Sequence, residues 1–241
     1  MRIVVVSATS EIAKSCIRVW AQQSACEFIL VGRAPLKLEA LAKDFSVKFP
    51  SSNFSISVTD FQEPTEIKKV MAGVSSPIDI ILIAQGSATN QQKVRLDLTY
   101  LKEELLLNAV SVAMFAEVSA NILEGQGTGA LAIVGSVAGD RGRAYNYSYG
   151  AAKSLVEKTA QGLQQRLAKT KVSVSLIKPG PTATPMTKDH KGNFSSPDDV
   201  ARVMVAGIGK AKRTIYAPKR WRLIMFVVRN MPFSLFKRFR F

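Results

Sequence analysis

Six short apolar runs recur along this chain, and longer segments with helical spacing separate most of them. The runs are IVVVS (3–7), EFILVG (27–32), NFSISV (53–58), IDIILIA (78–84), GALAIVGS (129–136) and VSVSLIK (172–178). Between them lie EIAKSCIRVWAQQ, PLKLEALAKDF, EELLLNAVSVAMFAEVSANIL and SLVEKTAQGLQQRLAK. Near-continuous apolar strands alternating with helices predict a parallel sheet covered on both faces. The expected fold class is therefore α/β, a doubly wound parallel sheet, with ligands at the carboxyl ends of its strands. A late helix is expected from SSPDDVARVMVAGI, with Ser196 as N-cap, Pro197 at the first helical position and acids in the first turn.

Composition narrows the chemistry. A chain of 241 residues that is 47% hydrophobic can bury one large core. Cys16 and Cys26 have no metal-ligand spacing and suit a reducing compartment without disulfides. The single histidine, His190, argues against histidine triads and multi-histidine metal sites, so no metal is expected. No signal peptide and no apolar run of membrane-spanning length is read, which places the protein in the cytoplasm.

The formal net charge of +15 points to an anionic partner: a polyanion, an anionic membrane surface or an anionic substrate. No acid follows Asp199, and Lys219, Arg220, Arg222, Arg229, Lys237, Arg238 and Arg240 crowd the end of the chain among aromatic and aliphatic residues. The chain accordingly divides into a body, 1–217, and a basic amphipathic extension, 218–241. Trp221, Ile224, Met225 and Val228 fall at helical spacing there. Such a segment suits the headgroup region of an anionic membrane, which would make the protein peripheral on its inner face. The alternative is a helix packed on the core with solvated charges. Interleaving of the cations with large aliphatic side chains argues against a nucleic-acid groove.

The words that carry chemistry are IVGSVAG and YSYGAAKS. Tyr149 and Lys153 are four apart, so on a helix they share one face. Ser136 ends a buried strand thirteen residues before Tyr149, where a carboxyl-end site is expected. Of Tyr145, Tyr147 and Tyr149, only the last has a lysine four residues on. A free tyrosine, with a pKa near ~10, exchanges protons poorly at neutral pH. A lysine ammonium about 4 Å away, at an effective dielectric near 20, favours the phenolate by about 4 kcal/mol. Lys153 is therefore expected to lower the pKa of Tyr149.

With the opening strand–turn–helix RIVVVSATSEIAKSCIRVW, these residues resemble the short-chain dehydrogenase/reductase superfamily over roughly residues 1 to 217, in order and spacing. The resemblance implies a Rossmann fold and hydride transfer between a nicotinamide and a ketone or secondary alcohol. In it Tyr149 protonates the substrate oxygen, Lys153 binds the nicotinamide ribose, and Ser136 hydrogen-bonds the carbonyl. Asn108 holds a water in the proton relay, beside its plainer reading as a polar residue satisfying a helix kink.

The family's Gly-x-x-x-Gly-x-Gly turn falls on Ser7, Glu11 and Ala13, so the phosphate turn here has no glycine. Ser7 would then bear the strain of any left-handed dihedral. The backbone amides and hydroxyls from Ser7 through Thr9, Ser10 and Ile12 are expected to face the pyrophosphate, with Glu11 turned aside. After the second strand, Gly32 stands where NAD-using relatives place an acid, and Arg33 follows, with Lys37 nearby. That pattern favours NADP(H) over NAD(H), Arg33 gripping the 2′-phosphate. The adenine-facing acid of the family is replaced at Ser57, leaving Val58 to supply backbone contacts. The family's NNAG is IAQG here, so Ala84 and Gly86 line the cofactor through backbone only. In PGPTATPM, Pro179 and Gly180 shape the nicotinamide loop, with Thr182 beside them and Thr184 at the carboxamide.

Within the superfamily, ATSEIA, GDRGRAYNYSYGAAKS and the IYAPKRWRLIMFVVRNMPFSLFKR tail resemble the reductase component of the decaprenylphosphoryl-ribose epimerase system. That resemblance implies a keto-sugar on a polyprenyl-phosphate carrier as substrate, cell-envelope polysaccharide synthesis as the setting, and a partner oxidase that supplies the ketone. The alternatives are a soluble ketone or 3-oxoacyl reductase, and a non-catalytic NADP-binding regulatory module. The resemblance also implies a homodimer or homotetramer, and TKDHKGNFS (187–195) is expected over the substrate.

Overall fold

Side chains branched at Cβ are stiff and pack best on a pleated surface, and the Val- and Ile-rich runs form the strands of one sheet. The computed structural model describes residues 1–187 and 194–239. Its strands are β1 (Arg2–Val6), β2 (Glu27–Gly32), β3 (Asn53–Val58), β4 (Ile80–Ile83), β5 (Thr128–Val134), β6 (Lys171–Pro179) and β7 (Thr214–Ala217). They lie in the order β3-β2-β1-β4-β5-β6-β7, every neighbouring pair parallel. This is the doubly wound sheet read from the alternation. The seventh strand, TIYA, has only four residues and carries no periodic signal of its own.

The helices are α1 (Glu11–Gln23), α2 (Pro35–Lys48), α3 (Pro64–Ala72), α4 (Gln91–Leu96), α5 (Leu98–Leu105), α6 (Ser111–Gln126), α7 (Tyr147–Arg166), α8 (Pro197–Ile208), α9 (Trp221–Asn230) and α10 (Phe233–Phe236). One face of the sheet packs on α1, α2 and α8 through residues such as Ile17, Trp20, Leu38, Phe45 and Met204. The other packs on α3, α6 and α7 through Ile67, Met71, Phe115, Val156 and Leu163. At α8 the Ser196 hydroxyl accepts from Asp199 N at 3.1 Å, with Pro197 at the first helical position.

Residues 98–126 form one continuous helix, in which a π-helical turn, Leu106–Val110, joins α5 to α6. At 29 residues it is long and apolar enough by composition to cross a membrane, which corrects the reading that no run reaches that length. Its Phe115, Ala116, Ala120 and Leu123 are buried against the sheet, so here it serves as a core helix.

Helix α7 begins at Tyr147, about two turns before its apolar spacing becomes evident. A tertiary cap supplies what Tyr-Ser-Tyr-Gly lacks in helix propensity. Ser148 N donates to Gln91 Oε1 at 2.9 Å, and Gln91 Nε2 donates to Ser148 Oγ at 3.1 Å, both residues being buried. Two glycines then bring α7 against the turn that follows β5. A Cβ on Gly150 would fall 2.9 Å from Ala138 O, and one on Gly139 would fall 2.9 Å from the Lys153 carbonyl carbon.

A buried ion cluster ties the same turn to the sheet. Lys178 on β6 pairs with Asp140, and with Glu157 of α7 at 2.8 Å. Tyr216 of β7 donates to Asp140 Oδ2 at 3.1 Å. Burial opposes the Lys178 charge, but hydrogen bonds and charge from Asp140 and Glu157 outweigh it and raise its pKa. Breaking a buried ion cluster leaves a desolvated charge poorly compensated. Asp140→Ala should therefore lower unfolding free energy by about 3 kcal/mol in denaturant titrations.

Candidate active site

In a parallel sheet every strand delivers its C-terminal loop to one edge. There the structure places Ser7 after β1, Arg33 after β2, Val58 at the end of β3, Ala84 and Gly86 after β4, Ser136 after β5, and Pro179–Thr184 at and beyond the end of β6.

Ser136, Tyr149 and Lys153 converge. The Ser136 backbone is extended, and its hydroxyl caps the next turn by accepting from Ala138 N at 3.1 Å. Lys153, 2% exposed, donates its Nζ to Gln85 O at 3.0 Å and Val134 O at 3.3 Å. That nitrogen lies 5.8 Å from the centre of the Tyr149 ring. Burial pushes the Tyr149 phenol up to about 12, while the Ser136 hydroxyl acts the other way. Burial lowers Lys153 to about 8. Burial therefore leaves the tyrosine pKa above that of a free phenol, whatever lowering Lys153 contributes. Desolvation disfavours both charged forms, and the ammonium is spent on two carbonyl oxygens. The phenol stays protonated at neutral pH.

Asn108 sits fully buried in the π-helical turn, a distortion frequent at functional sites. Its Oδ1 accepts from Ser87 N at 2.8 Å, and its Nδ2 donates to Ser87 Oγ and Glu104 Oε2, both at 3.0 Å. Glu104 also accepts from Ser87 Oγ at 2.9 Å and Thr89 Oγ1 at 2.6 Å. The Asn108 side chain is therefore committed to holding the loop after β4. The sequence reading missed Glu104, although it stands four residues before Asn108 and so on the same helix face.

The glycine-free turn is closed by its own backbone. Ser7 adopts the left-handed conformation, φ 62°, and Ser10 N donates to Ser7 O at 3.0 Å. Ser10 caps α1, its hydroxyl accepting from Ala13 N at 3.2 Å. Glu11 turns to Lys14, with which it pairs at 2.8 Å. Thr9 and Ile12 are half-buried beside them.

Arg33 is exposed, its guanidinium 5.4 Å from the centre of the Phe61 ring. A Cβ on Gly32 would meet Leu38 at 3.1 Å, so packing also favours glycine there. Val58 is exposed on the edge strand, which leaves its backbone as the part able to line a cleft. Gly86 faces the catalytic cluster. A Cβ on it would lie 3.4 Å from Lys153 Nζ and 3.5 Å from Asn108 Oδ1.

Beyond β6, Pro179 is buried and Thr182 Oγ1 donates to Gly180 O at 2.9 Å. Thr184 N donates to Thr187 Oγ1 at 3.1 Å. The indole of Trp221 lies on Gly180 so closely that a Cβ there would fall 1.9 Å from its Nε1. That contact between α9 and the loop was not anticipated from sequence. Residues 188–193 of the segment expected over the substrate, His190 among them, lie outside the described residues, as does Arg240. No metal-binding cluster occurs among the described residues.

Two measurements test this geometry. Ser7→Gly removes left-handed strain and should raise stability by about 1 kcal/mol in denaturant titrations. For Lys153, the folded chain releases its proton near pH 8 while the unfolded chain keeps it to about 10.5. Its burden on the fold is therefore complete below pH 8 and lifts as pH rises through that window. From pH 7.5 to 9.5 the wild type should gain on the order of 1–2 kcal/mol relative to Lys153→Met.

Residues 1–193 match the short chain dehydrogenase family. An uncharacterised oxidoreductase of Streptomyces coelicolor is 30% identical over 165 residues, 67% of this chain and 64% of that relative, so the match spans just under two thirds of its length. A very-long-chain 3-oxoacyl-CoA reductase of Podospora anserina is 24% identical over 187 residues, 76% of this chain and 55% of its own. A short-chain dehydrogenase from Sphingobium yanoikuyae, solved in complex with NADPH, has the same fold with a TM-score of 0.83 at 20% identity, over 97% of each chain. By sequence and by architecture, the chain belongs to the short-chain dehydrogenase family.

Proposed function

We propose that the protein is an NADP(H)-dependent reductase of a ketone to a secondary alcohol. The observation that carries this reading is the meeting of Ser136, Tyr149 and Lys153 at the carboxyl edge of the sheet, with the phenol held in its protonated form. Bound NADPH supplies the hydride. The chain's part is to orient the carbonyl and deliver a proton to its oxygen. Ser136 donates a hydrogen bond to the carbonyl oxygen, and Tyr149 gives up its phenolic proton as negative charge develops there. The Lys153 ammonium stabilises the phenolate that results and is itself steadied by Gln85 O and Val134 O.

The residues fit the cofactor. Gly86 leaves an open approach to Lys153 and Asn108, and the amides from Ser7 to Ile12 end at the capped start of α1, where an anion is favoured. Arg33, exposed beside a side-chain-free Gly32, supports NADP(H) over NAD(H), as does the NADPH complex of the Sphingobium relative. In this reading Gly180, Thr182 and Thr184 would hold the carboxamide.

For the substrate we favour a keto-sugar on a polyprenyl-phosphate carrier in cell-envelope polysaccharide synthesis, with a partner oxidase forming the ketone. A cavity of about 610 Å³ supports it. The 142–145 segment, which joins the Ser136 turn to α7, forms one wall, and Phe233, Phe236 and Lys237 belong to the other. Arg143 and Lys237 add cations to its aromatic lining, which suits an anionic lipid conjugate. Such a substrate places the body, 1–217, in the cytoplasm at the inner membrane face, with 218–241 towards the lipid. A 3-oxoacyl thioester is the second reading, favoured by the Podospora relative's printed activity. A non-catalytic module is disfavoured by the complete Ser-Tyr-Lys set. As in other members of this family, assembly as a homodimer or homotetramer is part of the proposal.

NADPH oxidation against keto-sugar lipid phosphates, 3-oxoacyl thioesters and simple ketones decides among these. Tyr149→Phe should lower turnover by about 10²–10⁴-fold with NADPH binding retained, and undiminished turnover would refute the mechanism. Arg33→Ala should weaken NADPH binding by about tenfold or more while leaving NADH binding unchanged.

A further inference from the structure

Helix α9 is apolar on two opposite sides. Trp221, Met225 and Val228 follow an i, i+4, i+7 spacing and face inward, where Met225 and Val228 pack with Val137 of the turn after Ser136. Arg141 of the same turn locks the helix down. Its Nη1 donates to Val228 O and Met231 O at 2.6 Å each, and its guanidinium lies 3.8 Å from the centre of the Phe236 ring. At 100° per residue, Leu223, Phe226 and Val227 point the other way. They are 71%, 66% and 53% exposed, and Phe233 of α10 is 72% exposed.

A helix with two apolar sides needs two apolar neighbours. The protein body supplies one. The surroundings of the second side identify the other. Lys219, Arg220, Arg222, Arg229, Lys237 and Arg238 are all exposed, and no carboxylate among the described residues pairs with them. No acid occurs in the sequence after Asp199. An isologous contact with a second copy would set this cation cluster against itself. Bulky apolar side chains ringed by cations that pair with no carboxylate among the described residues match the headgroup boundary of an anionic bilayer, where the apolar groups sink below the phosphates that the cations meet.

We propose that the outer face of α9, with Phe233 of α10, docks on an anionic phospholipid surface. This deepens the reductase reading by naming the surface at which that enzyme works, and the two can fail separately. Because the inner face of α9 grips the Ser136 turn and Trp221 lies on Gly180, docking brings the catalytic edge of the sheet to the lipid as one unit.

Co-sedimentation of the full chain with vesicles of phosphatidylcholine, alone or mixed with phosphatidylglycerol, tests this. The wild type should pellet with the anionic vesicles, far less with the neutral ones, and less as salt rises. Leu223→Asp/Phe226→Asp should weaken that binding at least tenfold, and Arg222→Gln/Arg229→Gln should flatten its salt dependence. Both variants should keep wild-type NADPH binding and melting temperature, which shows that they fold. A wild type that stays in the supernatant, or a folded apolar variant that binds as well as wild type, overturns the proposal. So does a variant that retains lipid binding but has a smaller mass by light scattering, which assigns the face to a second copy of the chain. Vesicle binding without NADPH oxidation of any carbonyl would instead refute the reductase reading and leave the docking face standing.

Discussion

Parallel pairing is the constraint on which the rest of this structure depends. Once β1 pairs with β2 on one side and β4 on the other, every loop that follows a strand must leave from the same edge of the sheet. Residues as distant in sequence as Ser7, Gly86, Ser136 and Gly180 therefore share one edge without a dedicated framework. The apolar ladder does this work cheaply, because strands buried on both faces tolerate any mixture of Val, Ile and Leu. Precision comes from elsewhere. Gly139 and Gly150 let two backbones close to near contact, and the Asp140–Lys178–Glu157 cluster holds the turn after Ser136 to both the sheet and α7.

Burial then sets the electrostatics. A lysine at the surface would be a fully charged neighbour to Tyr149, but Lys153 is enclosed and its ammonium is turned to two carbonyl oxygens. Desolvation acts on phenol and ammonium in opposite directions, favouring the neutral form of each. The resting site is poised with its proton on the tyrosine, which is the state a reductase must start from. In the proposed mechanism the pair becomes useful when charge appears on the substrate oxygen, since only then does a phenolate–ammonium pair replace two neutral or poorly solvated groups.

How much of this could be read from residues alone depends on where the information lies. The six apolar runs and the helix cap at Ser196 are local patterns, and they are legible. β7 is too short to have a period, and the first two turns of α7 depend on Gln91, which is far away in sequence and carries no local mark. The positions of Ser136, Tyr149 and Lys153 were legible as spacing, but their charge states were not, because burial is a property of the packed chain. Glu104 lay within reach of a helix-face argument from Asn108. The seat of Trp221 on Gly180 did not, since it joins two segments whose proximity only the fold creates.

The glycine-free turn and the tail show the same logic at two scales. At Ser7 the chain accepts a left-handed residue without glycine because β1, the Ser10 cap and the Glu11–Lys14 pair fix the surrounding backbone. At α9 the chain leaves Leu223, Phe226 and Val227 in the open although the same helix is pinned to the body by Met225, Val228 and Arg141. Burying the outer face inside the protein would require a further element opposite six cations, and no acidic residue follows Asp199 to meet them. Strain at Ser7 is absorbed locally because the turn is small. Apolar exposure at α9 is not absorbed by any described element, and the proposed lipid surface is what would cover it.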